Sequence, residues 1–82
     1  MREIPSIDII ATGKRINILR NEAGFSVRDM QLVFGFTTPQ AIYKWFHGAC
    51  LPTIDNLVIL AYMLDVPIDE IVVRSVDPNK TV

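Results

Sequence analysis

The chain has 82 residues and a mass of 9.3 kDa, the size of one domain, so a separate sensor or effector domain is not expected. Half of the residues are hydrophobic and the mean hydropathy is +0.31, which excludes an intrinsically disordered chain. The net charge of −1 conceals a polarity. Residues 14–48 carry Lys14, Arg15, Arg20, Arg28 and Lys44 against Glu22 and Asp29, a balance of +3, whereas residues 49–82 carry a balance of −3.

Such a polarity suits a molecule that turns one side to a polyanion, although an ordinary mixed surface has the same totals. The longest apolar run, Leu57–Leu64, has eight residues, far short of the roughly 20 a membrane helix needs. Residues 1–5 open no apolar signal segment, so the expected compartment is the cytoplasm. Cys50 is alone, which leaves no internal disulfide, and with His47 it makes too few soft ligands for a structural zinc site. No nucleophile–base pair stands out, so neither an enzyme, a cofactor nor a small-molecule substrate is expected.

The periodic signals are helical throughout. Ile9, Gly13, Ile16, Leu19 and Ala23 recur at helical spacing and predict a first helix from about Asp8 to Ala23, stopped by Gly24. Ser26-Val27-Arg28-Asp29 resembles a capping box and opens a short second helix that ends near Phe34, before Gly35. Thr38 followed by Pro39 reads as an N-cap and first helical position, starting a third helix through Phe46 that closes near Gly48. Thr53 caps a fourth helix beginning at Ile54, on which Ile54, Leu57, Val58, Ala61 and Leu64 form the stripe assigned to the core. Ile68, Ile71 and Val72 mark a last short helix. Residues 1–76 are thus read as a single all-α domain, and residues 77–82 as a short flexible tail.

The order of motifs resembles the phage-repressor and Cro-like helix-turn-helix family. The matching pieces are Gly13-Lys14-Arg15-Ile16 with Leu19-Arg20, Gly24-Phe25-Ser26, Phe34-Gly35-Phe36-Thr37 and Ile42-Tyr43-Lys44-Trp45. They continue with Leu51-Pro52-Thr53, Leu57 with Leu60-Ala61, and Val66 to Ile71. The resemblance implies a compact five-helix repressor-like fold whose third helix lies in the major groove of double-stranded DNA. It implies a small bacterial or phage-type transcriptional regulator, most simply a repressor. An antitoxin-like protein, or an interaction module that kept only the fold, shares the same pattern, and the acidic pI of 5.6 leans toward the latter.

Four positions depart from the family pattern. Val27 replaces the glutamine that opens the second helix, and Gln31 replaces a small alanine. The segment between Gly35 and Ile42 is one residue longer. Phe46 replaces an acid that in the family pairs with an arginine at the position of Arg20. An unpaired buried guanidinium is costly, so Arg20 is expected to turn to solvent or to find a local acceptor, with Phe46 packing beside it.

Base contacts are assigned to Thr38, Gln40, Tyr43 and Lys44. Gln40 suits the bidentate contact to adenine, and Lys44, one turn on, reaches guanine or a phosphate. Thr38 has a second reading as a helix cap, and Tyr43 as a packing residue. Phosphate contacts are assigned to Ser26, Arg28 and His47, against a plain solvated role for the last two. A homodimer is expected through Ile59, Met63 and the C-terminal helix, because Ile59 and Met63 fall opposite the stripe assigned to the core.

Overall fold

The computed structural model describes the backbone of residues 3–81 and the side chains of residues 4–76. The elements in chain order are β1 (Glu3–Ile7), α1 (Ile9–Ala23), α2 (Val27–Phe34), α3 (Gln40–Phe46), α4 (Ile54–Leu64), α5 (Ile68–Ile71) and β2 (Arg74–Thr81). The five helices carry the fold, as the periodicity predicts.

Local chemistry sets most of the helix ends. Asp8 caps α1 by accepting from the Ala11 amide at 3.0 Å. Ser26 and Asp29 form both halves of a capping box, with the Asp29 amide donating to Ser26 Oγ at 3.0 Å and the Ser26 amide donating to Asp29 Oδ2 at 2.9 Å. Thr53 Oγ1 accepts from the Asn56 amide at the start of α4. Gly24 and Gly35 close α1 and α2 in the left-handed region, where a side chain would be strained.

Ile16, Met30, Ile42, Trp45, Leu60, Leu64 and Ile71 form the core, one or two residues from each helix. Phe34 and Phe36 pack around Trp45, with ring centroids 5.3 and 5.8 Å from the indole. Phe36 thereby pins the lengthened connection between α2 and α3 to the core. α1 and α3 meet with almost no separation: a Cβ on Gly13 would lie 1.9 Å from the carbonyl oxygen of Trp45. No residue but glycine fits that crossing.

Three expectations are corrected. Thr38 is not the cap of α3; that helix begins at Gln40, Pro39 is its N-cap residue, and no side chain caps it. The helix starts one residue later than the Thr38-Pro39 pair implies, which leaves the Thr38 hydroxyl one position too early to cap it. On α4 the core stripe is rotated: Leu64 is buried and Leu57 and Ala61 pack against the core as expected, but Ile54 is 80% and Val58 53% exposed, and Leu60 and Met63 turn inward instead. A helix apolar nearly all round gives a helical wheel little direction, so its orientation follows from its neighbours. The third concerns the ends of the chain, which pair as an antiparallel two-stranded ribbon, with Ile7 opposite Arg74, Pro5 opposite Val76 and Glu3 opposite Thr81. Residues 77–81, read above as tail, are backbone of β2; the side chains of residues 77–82 lie outside the described residues.

The base of the ribbon is tied to α1. The Asp8 amide donates to Val73 O at 2.8 Å, and the Val73 amide donates to Thr12 Oγ1 at 3.0 Å. Thr12 is the one fully buried polar side chain among the described residues, and this bond uses its oxygen. Among those residues no helix is long and apolar enough to cross a membrane.

Candidate nucleic-acid interface

α3 is the element on which most of the assigned residues gather. Ile42 and Trp45 point inward and are buried, because their spacing of three places them on the side facing α1 and the core. Gln40, Tyr43, Lys44 and His47 are all exposed. At about 100° per residue these four fall within an arc of roughly 100°, opposite Ile42 and Trp45. The face offers an amide, a phenol, an ammonium and an imidazole, each able to reach a base edge or a phosphate. Thr38 is exposed in the turn before α3 with its hydroxyl uncommitted to capping, which leaves it free for a ligand.

Ser26 and Arg28 stand apart from that face, at the start of α2, and both are exposed. The capping box changes what Ser26 can offer. Its amide donates to the Asp29 carboxylate, its oxygen accepts from the Asp29 amide, and its hydroxyl also turns to that carboxylate, so the capping box competes with a phosphate for every polar group of Ser26. The hydrogen bonds from the Ser26 backbone and side chain hold the Asp29 carboxyl below the usual 3.8. A fixed negative charge therefore sits where a phosphate would approach, and Arg28 beside it is the better phosphate ligand of the two.

Arg20 finds local acceptors, as expected. Its NH1 donates to Phe25 O at 2.9 Å, its Nε to Asn17 Oδ1 at 3.0 Å, and its NH2 to the same amide oxygen. The guanidinium carbon lies 5.5 Å from the centroid of the Phe46 ring. A cation–π contact thus stands where the family has an ion pair. Phe46 also meets Tyr43 edge to face, with centroids 6.0 Å apart, and Tyr43 stacks with His47 at 6.5 Å. Sequence reasoning placed Phe46 as packing only and missed this link from α1 to the exposed face of α3. The signal was present in the i, i+3 spacing of Tyr43 and Phe46.

Charge separates along the chain. Between Ile54 and Ile71 there are Asp55, Asp65, Asp69 and Glu70 and no Lys or Arg, whereas the α2–α3 region holds Arg28, Lys44 and His47 against Asp29. Among the described residues no group of three or more His, Cys, Asp or Glu side chains gathers to hold a metal ion.

A family model described as Helix-turn-helix matches residues 16–71, from the middle of α1 to the end of α5. The chain belongs to the helix-turn-helix family. At the level of that family it is a DNA-binding regulator of transcription, and α2 and α3 are its helix-turn-helix. Two solved structures share the fold. The restriction-modification controller protein C.AhdI from Aeromonas hydrophila aligns with a TM-score of 0.68 at 23% identity, over 78% of this chain and 96% of that one. The DNA-binding domain of BldD aligns with a TM-score of 0.66 at 20% identity, over 79% and 93%. A comparison of the sequence with curated proteins finds no match.

Proposed function

We propose that the protein is a sequence-specific repressor that reads double-stranded DNA with α3 in the major groove. The single observation that carries this is the face formed by Gln40, Tyr43, Lys44 and His47, every one exposed and turned away from the buried Ile42 and Trp45. In this reading Gln40 and Lys44 contact base edges, Thr38 and Tyr43 adjoin them, and Arg28, Ser26 and His47 fix the register on phosphates. Repression follows from occupying an operator in the cytoplasm and needs no cofactor. The two proteins of like fold, one a restriction-modification controller and the other a DNA-binding domain, are consistent with it.

The regulator acts as a homodimer in this proposal, through an exposed ridge of α4 and the groove beside it. Ile54, Val58 and Tyr62 form an exposed apolar ridge at spacings of four, with Tyr62 89% exposed. Beside the ridge lies an open groove of about 500 Å³ lined by Phe25, Val33, Ile59, Tyr62, Met63 and Asp65. Ridge and groove share one side of the molecule, so a two-fold axis lets the ridge of each copy enter the groove of the other. Two reading helices then meet half-sites about 34–36 Å apart.

Selection from a randomised duplex pool at two salt concentrations tests the proposal. An enriched two-fold motif, bound more weakly at the higher salt, supports it. Failure to enrich any motif overturns it in favour of a protein-binding module that retains the fold.

A further inference from the structure

We infer that Phe46 is a positioning residue for DNA reading, and that it makes Tyr43 a determinant of sequence preference. The inference rests on the proposed use of α3 as the reading helix. Phe46 is half-buried at the end of α3 and packs against the core, so its own ring is held. One side of it receives the Arg20 guanidinium, and Tyr43 meets it nearly perpendicularly, at 85°. His47 stacks with Tyr43 at an interplanar angle of 22°. An exposed tyrosine ordinarily exchanges among rotamers within nanoseconds. Here two rings one turn away, with centroids at 6.0 and 6.5 Å, flank it on the helix face it shares with Gln40 and Lys44 and narrow that exchange.

Arg20 gives this packing its reach. Its fork is held by Asn17 on α1 and by the carbonyl of Phe25, the residue before the cap of α2. Through Phe46 the start of α2, which meets the DNA backbone, is tied to the ring that meets the bases. An acid in place of Phe46 would hold Arg20 equally well but would give Tyr43 no ring to pack on. The substitution of an aromatic for a carboxylate therefore changes what the pair supports, from the joint between helices alone to the joint and a reading side chain together.

Three variants of the full chain separate these roles, assayed by affinity profiles over single-base variants of the selected duplex. Phe46→Leu keeps apolar bulk but removes the ring face. It is expected to weaken binding by about 5- to 50-fold and to flatten preference at the base pair nearest Tyr43. Phe46→Tyr is expected to keep the wild-type profile. Phe46→Glu restores an acid for Arg20 and is expected to flatten the profile like Phe46→Leu; full preference in this variant would overturn the role given to Tyr43. An unchanged profile in Phe46→Leu would overturn the inference as well. A readout independent of DNA comes from NMR of the free protein. Loss of the Phe46 ring current moves the shifts of the Arg20 Nε–H and the Tyr43 ring protons in any case, so the deciding quantity is the Tyr43 χ1 scalar couplings. Values of one rotamer in the wild type that become averaged in Phe46→Leu support the inference, and couplings unchanged between the two overturn it. A wild-type chain that enriches no motif defeats the DNA reading itself, whereas these couplings still decide whether Phe46 orders Tyr43.

Discussion

Replacing Gly13 by alanine adds one methyl group where α1 crosses α3. That carbon would stand 1.9 Å from Trp45 O, with Trp45 C and Phe46 O each at 3.0 Å. Real contacts of this kind do not close below 3.0 Å, so the oxygen must retreat by about 1.1 Å. The obstacle is main chain of α3, and it cannot rotate away as a side chain would. Overpacking of a close-packed site costs about 1–3 kcal/mol, and rigid backbone places this case at the upper end. Alanine returns about 1 kcal/mol of helix propensity over glycine. The net loss is about 2 kcal/mol, equivalent to a fall in Tm of roughly 8–16 °C for a domain this small. Urea unfolding followed by the fluorescence of Trp45, the sole tryptophan, reports the loss directly at the contact. Gly24→Ala is the control: it sits at φ +83° with no neighbour within 4 Å, so it carries backbone strain of about 1–2 kcal/mol and no clash. A Gly13→Ala protein as stable as the wild type would refute the reasoning. Reduced operator affinity in folded Gly13→Ala is the second expected result, because α3 moves as a body.

Thr12→Val keeps the shape of a fully buried side chain but leaves the Val73 amide without its acceptor. It is expected to cost about 1–3 kcal/mol in thermal or denaturant unfolding and to speed exchange of the Val73 amide; unchanged exchange would count against the bond. The depressed Asp29 carboxyl stabilises the fold while it is charged, so that contribution is present above about pH 3.8 and is lost as acid carries the solution through the lower folded value. Asp29→Asn should flatten the fall in Tm across that acid range, and an undiminished fall would place its origin elsewhere. Lys44→Ala should lower the slope of log affinity against log salt by about one if Lys44 meets a phosphate, while Gln40→Ala should cost about 1–3 kcal/mol and relax base preference. Unchanged footprints and affinities in both would displace the reading face. Tyr62→Asp, at an exposed position, should give a folded monomer in sedimentation equilibrium; a dimer of wild-type strength would move the interface off α4.

What the sequence reveals of this fold is what short-range chemistry decides. Ser26 with Asp29, Thr53 before α4, and Gly24 and Gly35 after their helices all act within a few residues, and all appear where the residue types place them. The ribbon does not, because β1 and β2 acquire their partners from opposite ends of the chain and neither has enough alternation of its own. α4 was located but misoriented, since Ile54, Val58 and Tyr62 are as apolar as the residues that face inward. In the site, the exposed face of α3 follows from spacing once Ile42 and Trp45 are taken as core. The Arg20–Phe46–Tyr43 contacts do not, because they depend on how closely α1 approaches α3, and Gly13 sets that distance.

The bonds between Val73 and the start of α1 also bear on the order in which the molecule assembles. Each helix and its caps can form from neighbours in the chain, but the Thr12–Val73 bond closes a span of 61 residues. By loop-closure entropy alone, joining such ends in an otherwise flexible chain costs roughly 4 kcal/mol. Prior packing of α1 against α3 and α4 removes most of that cost, since it carries residue 12 to its partner's vicinity before the bond is made. The ribbon is accordingly the last part to lock and the first to open. Amides of β1 and β2 should exchange through a local opening that leaves the helices closed. A mutation in the ribbon should therefore accelerate unfolding while leaving the folding rate nearly untouched.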